Sequence, residues 1–267
     1  MRVVGRRALL AMCIVLAGAL ALPGWARALE DTRMVKVPAG EFRMGCDKKG
    51  DPDCWAGEEP VHTVHVDAFS IDKYEVTFRR YQKCIDAGRC KEPGIGGACN
   101  YGWPGKDDMP VNCVTWYQAE AFCKWEGKRL PTEAEWEKAA RGTDLRRFPW
   151  GSAAPSCEYA AMDRPGAGHM GCGTGDTLPV GSRPAGASPY GAMDMAGNLW
   201  EWTADWYDPF YYWNSPKRDP RGPGSGTYKT ARGGDIYTRT PRALRTAVRF
   251  NYAPENYSIA VGFRCVK

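Results

Sequence analysis

The sequence predicts one loop-rich domain of short strands and a few helices, with little regular secondary structure. Three observations predict it. Short alternating runs between Met34 and Ile71 have the period of strands, three segments ahead of Gly142 carry helix start signals, and beyond Gly142 no helical period persists. That second half is punctuated instead by Gly, Pro, Asn and Asp, as around Thr177-Leu178-Pro179-Val180 and the terminal Val261-Gly262-Phe263-Arg264-Cys265. Long loops of this kind are held by internal hydrogen bonds, disulfides or ions.

The chain opens on a secretory leader. Arg2, Arg6 and Arg7 form a basic region, Ala8 to Leu22 an apolar run, and Ala26-Arg27-Ala28 a small-x-small cleavage site. A membrane anchor is the rival reading, but the 15 apolar residues end at Pro23-Gly24, short of the roughly 20 that span a bilayer. A lipid on Cys13 is a second rival, weakened by Met12 standing where a small residue is expected. Cleavage after Ala28 leaves residues 29–267 as the mature domain. Four of the arginines behind the formal charge of +5 lie in the leader, which holds no acid. The mature chain is therefore close to neutral, which removes the electrostatic case for nucleic acid or an acidic membrane surface. After cleavage no integral membrane segment remains.

Next come the strands, Met34-Val35-Lys36-Val37 and Val61-His62-Thr63-Val64-His65-Val66 among them. His62 and His65, three apart, fall on opposite faces of a strand and read as polar positions rather than a metal pair. Thr77 opens a first helix that ends near Gly88. Thr115-Trp116-Tyr117-Gln118 is a capping box opening a second, and Thr132-Glu133-Ala134-Glu135 opens a third that stops at Gly142. No internal repeat or linker marks a second domain.

Of 11 cysteines, Cys13 lies in the leader and an even ten remain, which in an exported chain reads as a disulfide framework. Spacing pairs Cys46 with Cys54, Cys84 with Cys90, Cys99 with Cys113, and Cys157 with Cys172, leaving Cys123 and Cys265 far apart. No Cys-x-x-Cys occurs, which disfavours zinc.

The densest candidate site is Asp194-Met195-Ala196-Gly197-Asn198-Leu199-Trp200-Glu201-Trp202. Carboxylates flanking a glycine let side-chain and backbone oxygens converge on a hard cation such as calcium. On spacing alone an equal reading makes Asp194 a turn residue and Glu201 the partner of an arginine.

Beyond these local readings, Gly127-Lys128-Arg129-Leu130-Pro131-Thr132-Glu133-Ala134-Glu135-Trp136-Glu137, Gly197-Asn198-Leu199-Trp200-Glu201-Trp202, Arg232-Gly233-Gly234 and Gly262-Phe263-Arg264-Cys265 share order and spacing with one family. With Glu59-Pro60-Val61-His62 and Asp72-Lys73-Tyr74-Glu75-Val76-Thr77, they make the mature chain resemble the sulfatase-modifying factors, or formylglycine-generating enzymes. The resemblance implies an α+β formylglycine-generating-enzyme fold related to C-type lectins. It implies a calcium site from the side chains of Asp194 and Glu201 and the carbonyls of Gly197 and Leu199, and a disulfide between Cys123 and Cys265. A second family calcium site would fall near Ala161–Asp176, where Ala161 replaces the expected asparagine.

Active members of the family hold copper(I) between two thiolates just after a Gly-Gly-Ser element and oxidise a sulfatase cysteine to formylglycine. Here Asp235 replaces that serine, Thr238 stands at the first cysteine position, and the second falls on Pro241 or Ala243. None offers the soft donor that copper(I) requires, so no catalytic residue is assigned and copper is not expected. A further family disulfide is missing at both ends, Ala140 and Thr246.

Two functions follow as expectations. The first is a calcium-stabilised, exported binding or structural module that meets an unidentified protein or glycan partner through surfaces such as Trp206-Tyr207-Asp208-Pro209-Phe210-Tyr211-Tyr212-Trp213. In the rival reading these rings pack the domain's own loops. The second is an oxidoreductase of the family with an altered active site, formylglycine-generating or iron-dependent. Only three histidines, His62, His65 and His169, are present to build an iron site. The expected destination after export is the periplasm or the extracellular space.

Overall fold

The computed structural model describes residues 33–163 and 169–267, so the expected leader lies outside the described residues. Strand β1 (Met34–Val37) pairs antiparallel with β4 (Phe69–Asp72), and β2 (Gly40–Met44) with β3 (His62–Val66). Helices α1 (Phe78–Asp86), α2 (Trp116–Trp125) and α3 (Glu133–Arg141) are the α-helices among the described residues, and each begins after its expected cap. Thr77, Thr115 and Thr132 each accept a hydrogen bond from the amide three residues on, and in α2 and α3 the Gln118 and Glu135 side chains return the bond to complete a capping box. Gly142 ends α3 at φ 72°, a left-handed value that glycine tolerates best.

A four-stranded sheet was not foreseen. Its order is β7 (Phe250–Tyr252), β6 (Lys229–Arg232), β5 (Trp200–Trp206), β8 (Val261–Gly262), antiparallel except for the parallel β5–β8 pair. The reason is physical: the first four residues of β5 and all of β6 are buried, so neither shows the polar alternation by which a half-exposed strand is recognised.

Two cores result. Tyr81, Phe122, Trp202 and Phe263 pack around the Cys123–Cys265 bridge, Tyr81 stacking on Phe122 at 5.4 Å between centroids. Phe42, Val64, Ile71, Trp136 and Val266 form the second, between the two-stranded sheets and α3. Helix α3 is buried along its whole length and carries five charged residues inward. Burying charge is tolerable only when it is paired, and here it is. Glu133 takes a two-pronged bond from Arg249 at 2.7 and 2.9 Å, Glu137 faces Arg232 and Arg141, and the Lys138 ammonium donates to the carbonyls of Pro38, Gly40 and Val66.

Five disulfides close the loops: Cys46–Cys54, Cys84–Cys90, Cys99–Cys113, Cys123–Cys265 and Cys157–Cys172. These are the pairings expected from spacing and resemblance, and their density marks a protein of an oxidising, non-cytoplasmic compartment. Among the described residues no helix is long and apolar enough to cross a membrane.

Candidate functional site

The turn that feeds β5 gathers the first site. Asp194, Gly197 and Asn198 all have positive φ (58°, 78° and 65°), which curls the backbone so that Asp194 and Glu201 approach each other. Asn198 fixes the curl: its Oδ1 accepts from Leu178 N at 2.9 Å while its Nδ2 donates to Glu75 Oε2 at 2.7 Å. Glu75 also accepts from Leu199 N at 3.1 Å. Glu201 is clasped by Arg264 at 2.7 Å on each oxygen and by the Trp136 indole at 2.8 Å. Asp194 Oδ2 accepts from Gly181 N at 2.6 Å.

Both features of the non-metal reading are therefore present, a turn at Asp194 and an arginine on Glu201. They leave charge unbalanced. Three buried carboxyl groups, Glu75, Asp194 and Glu201, gather around the Arg264 guanidinium, and Arg183, acting on Asp194, is the second cation close by. Burial first, and then the neighbouring carboxylates, hold the Glu75 carboxyl well above its usual range, while burial pushes Asp194 up to about 6. A divalent cation is what would offset that excess. The donors fit one: Asp194 Oδ1 and the carbonyls of buried Gly197 and Leu199 accept no bond from a described residue, and Glu201 Oε1 keeps a lone pair beyond its single bond from Arg264.

The second site follows β6. Gly233 and Gly234, at φ 103° and 80°, swing the chain into a turn in which Thr238 Oγ1 donates to Asp235 Oδ1 at 3.0 Å and accepts from Asp235 N at 3.2 Å. A Cβ placed on Gly234 would meet Ala243 O at 2.9 Å and Thr238 Oγ1 at 3.4 Å. Positions 238 and 243 thus flank Gly234, whereas Pro241 is exposed at the start of a 3-10 turn. What converges there is the Thr238 hydroxyl and the Ala243 carbonyl, with Asp235 alongside, its carboxyl raised by burial. Asp163 joins from the other side: its N donates to Thr238 O at 3.1 Å, its Oδ2 meets Arg239 at 2.7 Å, and its buried Oδ1 has no partner. Ala140 is buried on α3, and Thr246 Oγ1 accepts from the adjacent Arg141.

Sequence reasoning missed Glu75, Asn198, Arg264 and Asp163 as site residues. Glu75 lies in Asp72-Lys73-Tyr74-Glu75-Val76-Thr77, where charged neighbours made it look like one more surface acid, so no local signal marked it as buried. The 123 residues that separate it from Asn198 hid the partnership. Of the expected aromatic run, Tyr212 packs inward while Phe210 and Trp213 are exposed.

Comparison with known proteins gives the family and the fold. The family model described as the sulfatase-modifying factor enzyme 1-like domain matches residues 21–267. The formylglycine-generating enzyme of Streptomyces coelicolor is 35% identical over 301 aligned residues, covering 92% of this chain and 93% of that one. Hercynine oxygenase of Mycolicibacterium smegmatis is 35% identical over 252 aligned residues, covering 80% of this chain and 56% of that one. The solved structure of PvdO from Pseudomonas aeruginosa matches with a TM-score of 0.74 at 26% identity, covering 87% of this chain and 93% of that one.

Proposed function

This chain belongs to the sulfatase-modifying factor family and has its α+β, C-type-lectin-related fold, and from that premise we propose an exported, calcium-stabilised member without copper chemistry that serves as a binding or structural module. The observation that carries the proposal is the turn after Gly234, where Thr238 offers a hydroxyl and the second position, Pro241 or Ala243, offers no sulfur, although copper(I) needs two thiolates. Every cysteine among the described residues is in a disulfide, and an oxidised sulfur has no thiolate to give. Calcium would be held by Asp194 and Glu201 with the carbonyls of Gly197 and Leu199. Its role there is to balance buried charge and fix the turn into β5. Exposed Phe210, Trp213 and Tyr228 support a surface for a protein or glycan partner, since aromatic side chains give contact area at low entropic cost. The leader, residues 1–28, would carry the domain to the periplasm or beyond the cell.

The test is incubation of the mature, copper-loaded protein with a sulfatase-type Cys-x-Pro-x-Arg peptide under oxygen. The thiol is expected to persist by mass spectrometry, and copper-dependent conversion to an aldehyde would overturn the proposal. One observation favours a second reading, an oxidoreductase with altered chemistry. Asp163 Oδ1, buried and unpaired beside the Asp235–Thr238 turn, is the kind of unsatisfied group that active sites retain.

A further inference from the structure

A cluster outside both sites joins β3 to the chain after the aromatic run. His65 and Asp67 are two apart on and just after β3, and Asp219 is laid beside them by backbone pairing: His65 N donates to Lys217 O at 2.8 Å, and Asp219 N to His65 O at 2.9 Å. Asp67 N then donates to Asp219 Oδ1 at 2.8 Å. One ring nitrogen of His65 and one carboxylate oxygen from each aspartate lie within 4.8 Å of one another. Glu41, directly across β2 from His65, adds another carboxylate to the same face.

Arg218 accounts for the carboxylates as a salt-bridged pair, contacting Asp67 and reaching Asp219 at 3.5 Å. It does not account for the imidazole. His65 Nδ1 is shut off from solvent and has no hydrogen-bond partner. It stands 3.7 Å from Asp67 Oδ1, too far for a hydrogen bond. Two donors that each sit about 2.1 Å from one tetrahedral ion are about 3.4 Å apart, so the spacing suits a shared metal.

We propose that His65, Asp67 and Asp219 form a surface site for a divalent transition metal of the zinc class, with Arg218 as the built-in competitor for the same two carboxylates. One imidazole nitrogen with two carboxylate oxygens suits zinc or manganese and disfavours calcium, which takes oxygen donors alone. Of the other nearby cations, Lys138 is engaged on three carbonyls and Arg129 on Glu135, while Arg221 and Lys267 line the same hollow as Asp67 and Asp219 without a salt bridge to either aspartate. Arg218, 63% exposed, is free to swing away. A bound ion would pin the segment after the aromatic run to β3 and leave coordination positions open to solvent.

The experiment is a zinc titration of the full mature protein in excess calcium, read by competition with a fluorescent chelator and by nitrogen-detected NMR of the imidazoles. One zinc per chain is expected, shifting the His65 resonances and leaving those of His62 and His169 in place. His65→Gln and Asp219→Asn should each weaken binding at least about tenfold. Arg218→Ala should strengthen it about tenfold, because one competing charge close to a surface ion is worth about that factor. Zinc that fails to saturate, that moves His62 or His169 instead, or whose affinity is unchanged or weakened by Arg218→Ala overturns the proposal.

Discussion

Asp205 gives a sharp test of how the charged interior is built. It lies on β5, wholly buried, and its Oδ2 accepts the amide of Glu133 at the first turn of α3 at 2.8 Å. Burial, and next the Glu133 carboxylate, push its carboxyl from 3.8 up to about 8. Between those two values the folded protein keeps a proton that the unfolded chain has released. Stability therefore falls as pH rises through that window, by about 1.4 kcal/mol for each pH unit, with a ceiling of about 6 kcal/mol above it. Asp205→Asn removes the charge and keeps an oxygen for the Glu133 amide. Urea unfolding of both proteins at pH 5, 6 and 7 isolates this residue, because every other titrating group is common to the two. The difference is expected to grow in favour of Asp205→Asn by about 3 kcal/mol from pH 5 to pH 7, with m unchanged. Parallel stability curves would refute the reasoning, for they would mean that Asp205 is ionised in the fold and compensated.

Chelating calcium should lower the melting temperature of the wild type, and Asp194→Ala should abolish the response, as mass action requires for a ligand bound only by the native state; a wild-type melting temperature indifferent to chelator would remove calcium from the account. Replacing Cys123 and Cys265 together by Ser should cost about 5 kcal/mol, the chain-entropy value for so long a loop, and a shift near zero in denaturant unfolding would show that this bridge constrains little. Intact mass of exported material should place the first residue at Leu29, and a species that retains Cys13 with an added lipid would contradict a cleaved leader.

What was legible in the sequence was whatever local chemistry encodes. Thr77, Thr115 and Thr132 announced three helices because a cap is settled within four residues, and four of the disulfides were readable because their loops are short. The central sheet was not, since Trp200-Glu201-Trp202 and Lys229-Thr230-Ala231-Arg232 are buried without alternation. Asp194 and Glu201 were singled out by spacing. The excess charge around them was invisible, because Glu75 and Arg264 come from opposite ends of the domain and meet only through the tertiary fold. The same holds for Asp219, more than 150 residues from the β3 end that it braces.

The segment from Val261 to Val266 lies beneath almost everything described above. Its backbone bonds to Asp72, Val76 and Arg129, its Cys265 to Cys123, and its Arg264 to Glu201. Contacts that far apart along the chain bring no reward until loop closure over most of its length has already been met. During synthesis the aromatic core around Phe122 must wait for Phe263, and β5 for its parallel neighbour. A domain that cannot lock until Val261 to Val266 has been made acquires its core in one late cooperative step, not element by element.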